Sequence, residues 1–181
     1  NGQMLRLLSP ISGVLPRLSA RFEHISLLEL TGDYLPLNVN AFVQQFPRLR
    51  QLIIRKVALQ EFPGAVASMP HFNELILSDC NLALTTEDQM TLSRMTRLIT
   101  LDLYNNPLQQ APNVEHMQNL QYLDLSNTGI RELPRGLLSR THLDLVLLPN
   151  NQIRELPDEL FNLPASASDT FDLSGNPISP L

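Results

Sequence analysis

Apolar and polar positions alternate along this chain in a spacing that returns seven times. Counting from the first apolar residue, positions 4, 6 and 11 are also apolar, and position 9 is a small polar residue, most often Asn. The clearest copy is Leu98, Leu101, Leu103, Asn106 and Leu108. Others are Ile25, Leu28, Leu30, Asp33, Leu35; Leu49, Leu52, Ile54, Val57, Leu59; and Phe72, Leu75, Leu77, Cys80, Leu82. Then follow Leu120, Leu123, Leu125, Thr128, Ile130; Leu143, Val146, Leu148, Asn151, Ile153; and Ser168, Phe171, Leu173, Asn176, Ile178. The second apolar position advances by 24, 23, 26, 22, 23 and 25 residues. Leu5 and Leu7 lie 23 residues before Leu28 and Leu30 and read as a degenerate earlier copy.

Within each copy the apolar-x-apolar core has period two, the signature of a short strand with one face inward. Each copy returns the chain to an equivalent place one layer on, so the strands must stack in parallel. No copy holds both walls of its own core, and stability must come from stacked neighbours. The Asn-type position closes the turn after the strand, where its amide can pair backbone groups leaving the sheet. Val57 cannot do this, so the second turn is expected to be less well satisfied. Three return segments share a proline motif at Phe62-Pro63, Leu133-Pro134 and Leu156-Pro157, which predicts turns or short helices on the far side. Asn38 is expected to cap a helix through Val43. Thr85 or Thr86, with Asp88 or Gln89, is expected to form a capping box on a helix running toward Met95.

This spacing and period resemble those of leucine-rich repeats. The resemblance implies an α/β solenoid, a right-handed superhelix. Its concave side is a parallel β-sheet and its convex side carries short helices, 3-10 turns and loops. One domain is expected over residues 1–181, with 1–22 a degenerate repeat or cap and 23–181 about seven repeats. The chain starts within the pattern and stops just after the last copy, which reads as a domain of a longer protein.

Composition narrows the partner. The net charge of -5 argues against nucleic acid and against an anionic membrane. One cysteine, Cys80, cannot form an internal disulfide cap, and no Asn-x-Ser/Thr sequon occurs. Both features predict a reducing, non-glycosylating compartment. No catalytic or phosphate-binding motif is present. His24, His71, His116 and His142 are scattered among different repeats, so neither a metal nor a cofactor is expected. Cys80 occupies a turn position and reads as a structural thiol.

The outward strand positions are the candidate binding residues. The central row reads Glu29, Ile53, Ile76, Asp102, Asp124, Leu147, Asp172. Arg55, Tyr104, Tyr122 and Leu145 flank it. Ile53 with Ile76, and Leu145 with Leu147, would form exposed apolar patches of the kind that mark contacts. Tyr104 and Tyr122 bracket the Asp102–Asp124 pair, and tyrosine is favoured at interfaces. Against this, Asp between two leucines also reads as a solvated scaffold residue. A monomer that binds a protein partner is the expectation.

Three segments carry a narrower resemblance: Leu15-Pro-Arg-Leu-Ser-Ala-Arg-Phe22, Leu84-Thr-Thr-Glu-Asp88 and Asp172-Leu-Ser-Gly-Asn-Pro-Ile178-Ser179. They resemble the leucine-rich-repeat domains of secreted bacterial effector ubiquitin ligases. That resemblance implies a module that selects host protein substrates in the host cytoplasm and restrains a cysteine-dependent catalytic domain beyond residue 181. The alternative is a stand-alone cytoplasmic scaffold that binds a signalling protein such as a small GTPase. In neither case is this domain itself expected to be an enzyme.

Overall fold

The computed structural model describes residues 2–8 and 22–179, the side chains of residues 8, 33–37, 166 and 168 excepted. Eight strands form one sheet in strict sequence order. They are β1 (Gln3–Leu8), β2 (Ile25–Leu37), β3 (Gln51–Leu59), β4 (Glu74–Ser78), β5 (Thr100–Asp102), β6 (Tyr122–Asp124), β7 (Leu145–Leu147) and β8 (Phe171–Asp172). All seven neighbouring pairs are parallel. Helices α1 (Val39–Val43), α2 (Thr86–Ser93), α3 (Asp158–Phe161) and α4 (Ala165–Ser168) lie in the return segments, as do 3-10 turns at Gly64–Ser68 and Leu137–Ser139.

The register follows the repeat. Leu28, Leu52, Leu75, Leu101, Leu123 and Val146 pair laterally in one inward row, and each is fully buried. A second row of Leu30, Ile54, Leu77, Leu103, Leu125 and Leu148 is equally buried. Burying one such side chain is worth ~1.5–3 kcal/mol. Leu5 and Leu7 of β1 pair with Leu28 and Leu30 and pack against the same core. In the last copy Phe171, Leu173 and Ile178 stay partly exposed, because among the described residues they have a neighbouring coil on one side only. Asp33 and Leu35 of the first copy, and Ser168 of the last, have side chains outside the described residues, as does most of the expected N-terminal cap.

A ladder of turn residues ties the coils together. Asn106 accepts from the Cys80 and Leu82 amides, both at 3.0 Å. Its own amide donates to the carbonyls of Leu77, Leu103 and Tyr104. Asn151 repeats the scheme two coils on, accepting from Thr128 and Gly129 and donating to Leu125 and Leu148. Each Asn therefore closes its own turn and the turn before it. Cys80 performs a weaker version, its thiol donating to Ile54 and Ser78 carbonyls. The expected deficit at Val57 is met differently: β3 continues through the turn to Leu59 and keeps pairing with β2, Val57 opposite Tyr34 and Leu59 opposite Leu37. A backbone ladder stands in for the missing amide, and among the described residues no buried side-chain polar atom is unpaired.

The return segments match the helix signals with one correction. Thr85 and Asp88 form the reciprocal capping box of α2. Asn38 does occupy the N-cap position of α1, but its side chain makes no capping bond. The tie comes from Asn40, whose amide donates to the Phe62 carbonyl and whose oxygen accepts from the Ala65 amide, fixing α1 to the next coil.

Candidate protein-binding face

Side chains at alternate strand positions point away from the core, and the parallel register lines them up across the sheet. Glu29, Ile53, Ile76, Asp102, Asp124, Leu147 and Asp172 are successive lateral neighbours. Beside them run Gln51, Glu74, Thr100, Tyr122 and Leu145. Arg55 lies opposite Ser78 in a third row. Tyr104 departs from its expected strand position: β5 ends at Asp102, so Tyr104 sits in the turn beyond it. Tyr104 is 45% exposed and Leu145 38%, while Ile53, Ile76, Tyr122 and Leu147 are half-buried. The central stretch of the face is thus a carboxylate pair with an apolar pair on either side.

The three aspartates share a local job. Asp102 accepts from the Tyr104 amide at 2.9 Å, Asp124 from the Ser126 amide at 2.9 Å, and Asp172 from the Ser174 amide at 2.9 Å. The Ser126 and Ser174 hydroxyls donate to the same carboxylate oxygens. Each Asp thereby ends its strand in a side-chain-closed turn. Their surroundings then separate them. Asp172 is half-buried, and the Ser174 bonds hold its carboxyl below the usual range. Asp102 is pushed up to about 6, chiefly by burial and further by the Asp124 charge, against the Tyr104 amide and the Arg55 charge. Asp124 is buried outright. Burial sets Asp124 apart from a solvated scaffold residue, while Asp102 and Asp172 are both half-buried. Tyr122 donates to Asp124 at 3.4 Å, and burial with the two carboxylates raises its hydroxyl to about 12.

Neither Asp102 nor Asp124 takes part in an ion pair among the described residues. Glu29, at the far end of the same row, is paired with Arg6 at 2.8 Å. Arg55 is near enough to act on Asp102 electrostatically without forming a bridge.

Other candidate chemistry is accounted for by structure. Cys80 is fully buried and burial pushes its thiol up to about 12, which disfavours the reactive thiolate. The four histidines are all exposed, and no group of three metal-binding side chains occurs among the described residues.

The repeat spacing did not reveal a polar rim beside this face. From the second copy onward the residue before the turn position is Lys56, Asp79, Asn105, Asn127, Asn150 or Gly175, and all six are left-handed, with φ between 54° and 71°. Asn127 donates to Asn105 at 2.6 Å and Asn105 to Asp79 at 2.8 Å, an outer ladder along the rim. With Lys56, Asn81 and Gln109, the ladder residues Asp79, Asn105 and Asn127 line an open groove of about 860 Å³. Its signal was the Asn or Asp standing directly before the turn residue, types that tolerate this backbone region.

A family profile described as Leucine Rich repeats (2 copies) matches residues 96–138, the span of β5 and β6. The chain is 27% identical over 128 residues to Ras guanine nucleotide exchange factor V of Dictyostelium discoideum, covering 71% of this chain and 6% of that protein. It is 26% identical over 117 residues to volume-regulated anion channel subunit LRRC8D of Rattus norvegicus, covering 64% and 14%. It is 30% identical over 154 residues to putative disease resistance protein At5g05400 of Arabidopsis thaliana, covering 77% and 17%. The chain therefore spans less than a fifth of the length of each of these relatives. Shared repeat, parallel register and family match make this chain a leucine-rich-repeat domain.

Proposed function

We propose that this domain is the protein-recognition module of a larger protein, and that it binds through the outward face of β3 to β7. The observation that carries this reading is the central row itself, in which two carboxylates without an ion-pair partner among the described residues are flanked by apolar side chains. Leucine-rich-repeat domains are in general protein–protein interaction modules and are not catalytic. The three relatives named above differ widely in what their names describe, which supports a portable binding unit.

Replacing Tyr104 and Tyr122 together by Ala tests the face. Both are interface-prone residues, and the core does not depend on Tyr104. Partner capture, measured against the wild-type domain, should fall about tenfold or more, with the melting temperature nearly unchanged. Unchanged capture would remove this face from consideration.

For the parent protein, the effector-ligase reading rests on three sequence segments. Of these, residues 15–21 lie outside the described residues. Leu84–Asp88 supplies an ordinary capping box, and the last segment an ordinary final turn. The matched relatives named here come from an amoeba, a rat and a plant. Incubating the full-length protein with ubiquitin, its activating enzyme and its conjugating enzyme tests the reading. A thioester-linked ubiquitin adduct supports it, and its absence leaves a scaffold for a signalling protein as the reading.

A further inference from the structure

Two carboxylates stand side by side on neighbouring strands with no ion-pair partner among the described residues. Strands lie ~4.8 Å apart, so Asp102 and Asp124 repel each other directly. Each spends its Oδ1 on its own turn. Oδ2 of Asp102 accepts no hydrogen bond among the described residues, and Oδ2 of Asp124 holds only the long contact from Tyr122. The row continues into Ile76 and Ile53 on one side and Leu147 on the other, with Leu145 beside it. Between Ile53 and Leu147 the central row therefore carries charge only at this pair.

We propose that this face takes a protein segment that presents one basic side chain, arginine in preference to lysine, to the Asp102–Asp124 pair. Apolar residues on either side of that arginine rest on Ile53–Ile76 and on Leu145–Leu147. The proposal rests on the reading of this face as the docking surface and adds the chemistry of what docks. A guanidinium is planar, carries five donors and is more weakly hydrated than an ammonium, so it can bridge two carboxylates that lie one strand apart. Tyr104, exposed at the edge of the pair, offers a ring face over which a guanidinium can stack. The alternatives fit less well. A metal ion would need further ligands, and no third His, Cys, Asp or Glu joins the pair among the described residues. A nucleic acid would meet an acidic surface on a chain of net charge -5.

Selection of a random peptide display library on the intact domain tests this and needs no identified partner. The expected result is enrichment of one arginine flanked within a few residues on both sides by apolar residues. A synthetic peptide of the winning sequence should bind Asp102→Asn about tenfold or more weakly than wild type, and its Arg→Gln version should lose binding comparably. Asp102→Asn keeps the shape of the side chain and an acceptor for the Tyr104 amide, so folding is preserved. Winning peptides that lack a basic residue yet lose binding to the Tyr104→Ala, Tyr122→Ala domain would overturn the arginine assignment and leave the docking face standing. Winning peptides indifferent to both variants, or no enrichment above bare matrix, would overturn the two together.

Discussion

Asp102→Asn separates a functional carboxylate from a structural one. In the folded protein the Asp102 carboxyl stands at about 6, against 3.8 for the unhindered group, with burial as the main cause. The sign follows directly. A folded-state value above the unfolded one means that the folded protein holds its proton more tightly. The associated stability is fully present below pH ~3.8 and is lost as pH rises through about 6. At pH 7.5 the ionised side chain therefore costs about 1.36 kcal/mol for each of roughly two units, on the order of 2–3 kcal/mol. Asparagine is neutral at every pH and still accepts from the Tyr104 amide. The variant should thus be more stable than wild type by up to ~2–3 kcal/mol at pH 7.5, and nearly equal to it at pH ~4. Urea unfolding at the two pH values reads this out. With a slope of ~1–3 kcal/mol per molar, the midpoint at pH 7.5 should rise by up to about 1–2 M. The two proteins differ only at position 102, so the difference between them reports Asp102 together with its coupling to Asp124. A variant that is less stable at pH 7.5, or equally stabilised at both pH values, would show that burial does not raise the Asp102 carboxyl. The expected gain in stability together with the expected loss of binding is the usual exchange at a binding site.

Three further substitutions test the scaffold. Leu123→Asp places an unpaired charge in the middle of the fully buried row, and should cost more than about 4 kcal/mol and unfold much of the array, seen as loss of the cooperative melting transition by circular dichroism; wild-type melting would contradict the shared core. Asn106→Ala strands the buried Cys80 and Leu82 amides, and should lower stability by ~3–5 kcal/mol in urea unfolding. Asn106→Asp should fare little better, because a carboxylate cannot donate to the Leu77, Leu103 and Tyr104 carbonyls.

The inward rows were legible because their cause is local and repeated. Leu28, Leu52, Leu75, Leu101 and Leu123 fall at one strand position in every coil, and only a parallel stack buries them all. The capping box at Thr85 and Asp88 was legible for the same reason, since it depends on two residues three apart. The outward row was legible in register, from Ile53 through Leu147, but not in environment. Burial of Asp124 and the raised Asp102 depend on what adjacent coils place around them, which spacing within one coil does not specify. Backbone compensation was equally hidden. At Val57 the residue type announced a missing amide, yet the remedy lay in β2, more than twenty residues away in sequence. The rim ladder through Asp79, Asn105 and Asn127 needed the left-handed turn geometry before those side chains could be seen to line up. The resemblance to effector ligases rested partly on features any such coil requires, a capped helix and a closed final turn.

A shared core leaves one outward sheet face to dock a protein, as proposed above. Hydroxyl-radical labelling of the domain, free and bound to its captured partner, tests it side chain by side chain. Tyr104, at 45% exposed, and Leu145, at 38%, should lose labelling on binding, while Met90 at 50% and Phe161 at 60%, in the return-segment helices, should label as before. Protection of Met90 or Phe161 with Tyr104 and Leu145 unchanged would contradict it.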